Sequence, residues 1–207
     1  MTYIFDFDGT LVDSMPVFSE KILEIFRENN LPIADDTVKI LTPLGSRGVA
    51  EYAINLGMDI TVEAFIKMAI DKMAPAYHHT IPAKAYVAEK LTELKAQGHS
   101  LNVLTASSHD LLDACLKRVG LYALFDNVWS CDDFDRSKTD PRIYVEAAQR
   151  LGTTVAACTF VDDNTGAVST ARQAGMRAVG VFDASSADYV EDMKAVSDGY
   201  IMDFREL

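Results

Sequence analysis

The chain has 207 residues, 49% hydrophobic and 24% charged, the proportions of a folded chain long enough to bury a real core. Its formal net charge of −12 argues against an extended nucleic-acid footprint and against anionic membrane surfaces. A small anionic ligand stays open, because a metal ion and one or two local cations can reverse the field inside a pocket. Cys115, Cys131 and Cys158 are widely spaced with no C-x-x-C pattern. That argues against a disulfide framework or a zinc site and for a reducing compartment. No basic-then-apolar leader and no apolar run of roughly 18 residues is present, so the expected location is cytoplasmic.

The first element is Tyr3-Ile4-Phe5-Asp6-Phe7-Asp8-Gly9-Thr10. Aromatic and β-branched residues predict a strand that stops at the Gly. The period of two sets Asp6 and Asp8 on one side and Phe5 and Phe7 on the other. Two carboxylates so close repel one another and lose hydration, so the pair calls for a cation, a shared proton or strong hydrogen bonds. Taken alone, the same residues also read as an Asp-Gly turn with a solvated Asp beside it.

From about residue 14 to 82 strand signals are scarce. Val17, Ile22, Ile25 and Phe26 recur at helical spacing, closed by Asn29-Asn30 and Pro32. Val49, Tyr52, Ala53 and Leu56 form a second stripe ending at Gly57, and Phe65, Met68, Ala69 and Met73 a third that should end before Pro75. The segment reads as an all-helical insertion over 14–82, and alternatively as helices packed on the core sheet. A core of 1–13 and 83–207 flanks it.

Beyond residue 82 helices and strands alternate. Helices are expected at 86–97, 110–119, 141–151, 165–174 and 187–196. Strands are expected at 100–104, 128–131, 158–161, 178–182 and about 200–202. This predicts an α/β fold: a Rossmann-like, mostly parallel sheet with helices on both faces, plus a small all-helical cap inserted after the first strand. Ligands in such sheets sit beyond the carboxyl ends of the strands.

Those ends are where chemistry-bearing residues gather. The first strand runs into Asp6 and Asp8, and the second into Thr105-Ala106-Ser107-Ser108, whose hydroxyls and helix-start amides suit an anion or simply cap a helix. The strand at 158–161 runs into Asp162-Asp163-Asn164, again a helix cap by the plainer reading. Lys138 precedes a helix whose positive end gives a cation nothing, so it serves something negative nearby or is a solvated lysine. Together the four segments bring two acidic clusters, hydroxyls and an ammonium to one sheet edge. Hard oxygen ligands suit Mg²⁺, and hydroxyl and ammonium donors suit phosphate oxygens.

Here the sequence closely resembles the haloacid dehalogenase-like hydrolase superfamily over nearly its whole length. Asp6-Phe7-Asp8-Gly9-Thr10-Leu11-Val12-Asp13-Ser14 is similar to its first motif, Thr105 to its second, Lys138 to its third and Asp162-Asp163 to its fourth, in the family's order. The helical insertion resembles the cap of the phosphoglycolate phosphatase and β-phosphoglucomutase-like branch. The resemblance implies Asp6 as nucleophile and Asp8 as general acid and base. It implies that Thr105 and the Ala106 amide bind the phosphoryl group and that Lys138 neutralises it. Mg²⁺ would rest on Asp6, the Asp8 carbonyl and Asp163, with Asp162 assisting.

Members that cleave carbon–halogen bonds lack the second Asp, so Asp8 favours phosphoryl transfer. Two departures stand out: Thr139 follows Lys138 where Pro is usual, and Val161-Asp162-Asp163-Asn164 replaces the usual Gly-Asp or Glu-Asp. The implied function is a Mg²⁺-dependent phosphatase acting on a small phosphorylated metabolite, phosphoglycolate-like or a sugar phosphate. A phosphomutase and a catalytically silent binding protein are the alternatives. No nucleic-acid or membrane partner is expected, and oligomeric state is not legible. Within the cap, Thr42-Pro43-Leu44-Gly45-Ser46-Arg47-Gly48 reads as a Gly-bracketed loop presenting Arg47 to substrate, or as an exposed Arg at a helix start. Adjacent His78 and His79 share no face and read as surface residues of the hinge region rather than metal ligands.

Overall fold

The computed structural model describes residues 1–41 and 44–207. Six strands form one sheet: β1 (Thr2–Phe5), β2 (Ser100–Thr105), β3 (Asn127–Ser130), β4 (Cys158–Asp162), β5 (Arg177–Val181) and β6 (Gly199–Ile201). Their order is β3-β2-β1-β4-β5-β6, and every neighbouring pair is parallel. Alternation along each strand sends side chains to both faces, which is why the strands read as near-continuous apolar runs. Ile4, Leu104, Phe160 and Ala178 pack under α7 (Arg142–Arg150) and α8 (Thr165–Gln173) through Ile143, Tyr144, Ala147 and Val168. Phe5, Val103, Val161 and Val179 belong to the opposite core, covered by α5 (Val87–Ala96) and α6 (His109–Arg118).

Between β1 and α5 lie α1 (Met15–Glu28), α2 (Thr37–Leu41), α3 (Gly45–Asn55) and α4 (Val62–His79). Asn29 caps α1, and Asn30 turns the chain at φ 55°, a conformation Asn tolerates. The short α2 was not expected from periodicity. The helix of the third apolar stripe, α4, does not end before Pro75 but continues to His79. Pro75 forfeits one backbone bond, yet Phe65, Ala69, Met73 and Tyr77 form one buried row at four-residue spacing that carries the packing past it. The chain leaves and re-enters the core side by side: Asp13 N–H donates to the Pro82 carbonyl and Lys84 N–H to that of Leu11, both at 3.0 Å.

The helix expected over 187–196 is divided. A 3₁₀ segment (Ala184–Tyr189), with non-helical backbone at Ser186, precedes α9 (Val190–Val196). Asp183 starts that segment by accepting from the Ser185 amide at 2.9 Å. Among the described residues no helix is long and apolar enough to cross a membrane.

Candidate active site

The strand order reverses direction between β1 and β4, leaving a crevice beyond their carboxyl ends. Asp6 follows β1 directly, its amide donating to the Val161 carbonyl at 2.9 Å. Asp162 is the last residue of β4, and Asp163 follows it. Carboxylate oxygens of Asp6, Asp162 and Asp163 lie within 4.8 Å of one another, and all three residues are buried. The set is all hard oxygen and fits a divalent cation of the Mg²⁺ kind.

Lys138 reaches this cluster from the loop before α7. Its ammonium donates to Asp6 Oδ1 at 2.5 Å and to Asp162 Oδ2 at 2.7 Å. Burial alone would lower its pKa, but the Asp162 and Asp6 charges outweigh that and hold it well above the ordinary lysine range. The Asp162 and Asp163 carboxyls are raised too. Burial raises Asp162 against the pull of Lys138. Burial, then Asp162, Asp6 and Asp183, raise Asp163 against a hydrogen bond from Thr10. A cation among them opposes that repulsion. Thr139 stands where a stiffening Pro was expected, and the buried Tyr144 hydroxyl instead fastens the loop by donating to the Lys138 carbonyl at 3.0 Å.

Gly9 makes the close approach possible. At φ +72°, an added Cβ would meet Asp163 Oδ2 at 2.4 Å. Thr10 locks the other side, its hydroxyl donating to Asp163 Oδ1 at 2.9 Å and accepting from the Asp163 amide at 3.1 Å.

Asp8 does not share the Asp6 environment. The strand ladder ends at Phe5, and beyond it the two carboxylates take separate partners. Asp8 Oδ1 accepts from Tyr77 Oη at 2.5 Å and Ser14 Oγ at 2.7 Å, and Oδ2 accepts from Ser107 Oγ at 2.5 Å. Burial, then the Asp6 charge, raise the Asp8 carboxyl despite these three donors. Burial and the Asp8 charge hold the Tyr77 phenol well above its ordinary range, so it stays a donor.

Thr105, buried at the end of β2, accepts from the Ser107 amide at 3.1 Å, which folds the chain after β2 into a tight turn whose Ser107 hydroxyl reaches Asp8. The Ala106 backbone lies in that turn. Lys84 supplies a clasp that sequence reasoning missed: its ammonium donates to the Gly9 carbonyl (2.6 Å), the Phe182 carbonyl (2.7 Å) and Asp183 Oδ2 (3.0 Å).

Arg47 lies in the first turn of α3, the exposed helix-start position that was one of its two readings. The expected loop is helical from Gly45 onward, while Thr42 and Pro43 lie outside the described residues. The Arg47 guanidinium is mostly exposed and pairs with Glu51 one turn on, at 3.0 Å. His78 and His79 are exposed at the end of α4, with His78 Nε2 3.2 Å from the Asp110 carbonyl.

A family model described as haloacid dehalogenase-like hydrolase matches residues 3–181. The phosphoglycolate phosphatase of Caulobacter vibrioides is 29% identical over 200 residues, covering 94% of this chain and 84% of that protein. Hexitol phosphatase B of Escherichia coli (strain K12) is 26% identical over 186 residues, covering 85% of this chain and 81% of that protein. Among solved structures, a haloacid dehalogenase hydrolase of family IA, variant 3, from Entamoeba histolytica matches with a TM-score of 0.86 at 20% identity. It covers 100% of this chain and 94% of that one, and the likeness speaks for the fold.

Proposed function

The chain belongs to the haloacid dehalogenase-like hydrolase family, and on that premise we propose that it is a Mg²⁺-dependent phosphatase of small phosphomonoesters working through an aspartyl-phosphate. We place it in the phosphoglycolate phosphatase and β-phosphoglucomutase-like branch, with phosphoglycolate-like compounds or sugar phosphates as the substrate class. The observation that carries the reading is the Lys138 ammonium held between Asp6 and Asp162 beyond the β1 and β4 ends, in one cluster with Asp163.

In the first step an Asp6 carboxylate oxygen attacks phosphorus as the bond to the leaving oxygen breaks. The Asp8 carboxyl gives its proton to that oxygen, so an alcohol leaves rather than an alkoxide. Lys138, Thr105 and the Ala106 amide face the phosphoryl oxygens and offset their charge. In the second step the Asp8 carboxylate takes a proton from water, the water oxygen bonds to phosphorus, and the Asp6–phosphorus bond breaks to return the free carboxylate.

Asp6, the Asp8 carbonyl and Asp163 would hold Mg²⁺. When bound, the ion would supply positive charge that offsets the repulsion between an anionic Asp6 and an anionic phosphoryl group. Asp162 is the less suitable direct ligand, since Oδ2 accepts from Lys138 and Oδ1 from the Asn164 amide. Asp163 commits one oxygen to Thr10.

The test is a panel of phosphorylated metabolites with Mg²⁺, following free phosphate, with Asp6→Asn alongside. Release from at least one small monoester, abolished in a folded Asp6→Asn protein, is the expected result. No release from any member while a hexose 1-phosphate is isomerised would replace phosphatase by phosphomutase, and an active Asp6→Asn protein would overturn the mechanism. In the same panel, an Arg47→Ala protein with unchanged KM and substrate preference ends any role for Arg47 in specificity.

A further inference from the structure

We propose that Tyr77, carried by cap helix α4, is a positioning residue that grips Asp8 Oδ1 and so leaves Asp8 Oδ2 as the oxygen that exchanges protons with the leaving group. The proposal rests on the reading of Asp8 as general acid and base.

Three hydroxyls converge on the one carboxylate, each from a different part of the chain. Ser14 stands where the chain enters the cap, Ser107 in the segment after β2, and Tyr77 near the end of α4. Two of them hold Oδ1, Tyr77 at 2.5 Å and Ser14 at 2.7 Å. Among the described residues only Ser107 donates to Oδ2, also at 2.5 Å. Ser107 lies two residues beyond Thr105, so Oδ2 is the oxygen on the side of the segment assigned to the phosphoryl group. A carboxyl anchored through one oxygen presents the other at a fixed place, and orientation of that kind is worth much of a proton-transfer step.

The construction around Tyr77 supports a dedicated use of its hydroxyl. The residue is only 4% exposed, and its ring packs against Phe7, with centroids 6.1 Å apart. Its own carbonyl accepts from Arg118 Nε of α6 at 3.2 Å, and Arg118 also donates to the Ile81 carbonyl. Core helix α6 therefore fixes the last turn of α4, and α4 continues through Pro75 to place Tyr77 there. The ring alone would satisfy the packing. The hydroxyl does something further: it donates to Asp8.

Tyr77→Phe removes the hydroxyl and keeps the ring. The readout is first-turnover release of leaving group by rapid mixing, with two substrates. One is the best alkyl phosphomonoester of the panel, whose leaving oxygen needs a proton. The other is 4-nitrophenyl phosphate, whose phenolate leaves without one. The expected result is a loss of about tenfold or more in the alkyl release rate and less than about threefold with 4-nitrophenyl phosphate. KM should stay within about twofold, because the hydroxyl touches Asp8 rather than substrate.

Ser14→Ala strips the other donor from Oδ1 and should show the same one-sided loss, so it decides the matter if Tyr77→Phe does not fold. Equal losses on both substrates, or none, with a wild-type protein that turns over both, would overturn the role of Tyr77 alone. A wild-type protein that turns over neither would overturn the phosphatase reading and this proposal with it.

Discussion

Gly9→Ala separates backbone strain from a specific contact. Gly9 sits at φ +72° and Gly98 at φ +80°, but an added Cβ at Gly98 meets nothing within 4 Å, whereas at Gly9 it meets Asp163 Oδ2 at 2.4 Å and Cγ at 2.8 Å. The left-handed conformation costs an L-residue roughly 1–2 kcal/mol at either position. For a chain of this size, that lowers Tm by about 2–8 °C, at roughly 2–4 °C per kcal/mol. Gly98→Ala should show that loss and nothing more.

At Gly9, ordinary contact begins near 3.4 Å, so the carboxylate must retreat by about 1 Å, and its 2.9 Å bond from Thr10 goes with it. A neutral donor to a carboxylate adds about 1.5 kcal/mol or more, bringing the total to about 3 kcal/mol and the Tm loss to roughly 6–12 °C. Because the displaced group is a proposed metal ligand, the Mg²⁺ concentration for half-maximal phosphate release should rise about 10–100-fold. The assay is thermal unfolding of both variants and the wild type across a Mg²⁺ series, with phosphate release in parallel. Gly9→Ala behaving like Gly98→Ala in both readouts would show that Asp163 does not require the bare glycine.

Lys138→Met leaves Asp6 and Asp162 buried without their cation, and removing one member of such a group costs roughly 3–5 kcal/mol. Urea unfolding at neutral pH should show that loss, shrinking when Mg²⁺ is added. A variant as stable as wild type without Mg²⁺ contradicts the pairing. His109 tests a charge at the start of α6. A hydrogen bond to Asp133, followed by one to Asp113, raises its pKa above the ordinary 6.5 against partial desolvation. A raised folded-state pKa gives stability that is fully present below 6.5 and is lost as pH climbs through the folded value. The Tm difference between wild type and His109→Gln should therefore be larger at acidic pH and fade above neutrality, and a pH-independent difference would dismiss the effect.

Asp6, Asp162 and Asp163 meet because a parallel sheet gathers its strand ends at one edge, where residue types can be read along the chain, and Lys138 joins them from the loop before α7. Register explains why the pair Asp6 and Asp8 was read only in part. Phe5 and Phe7 do enter one core cluster, but the ladder stops at Phe5, so period two no longer ties the carboxylates together. Arg47 had a signal that was available and passed over: Glu51 lies four residues on, the spacing of a helical ion pair. The Lys84 clasp had none, since Gly9, Lys84, Phe182 and Asp183 meet only once the sheet is assembled.

Tyr77 shows why the proton-handling half of the site was harder to read. In sequence it is the fourth member of a row beginning at Phe65, and such a row reads as core. Pro75 also reads as a stop two residues before it. Both signals are physically real: Tyr77 is buried, and the proline does forfeit a backbone bond. What sequence does not show is that the helix continues so that a phenol can reach across to Asp8. The two carboxylates that open the chain are thereby given opposite surroundings. The Lys138 ammonium faces Asp6. Neutral hydroxyls face Asp8, and burial beside Asp6 favours its protonated form. The nucleophile and the proton carrier proposed here, two residues apart, need that difference, and α4 contributes one of the three hydroxyls around Asp8.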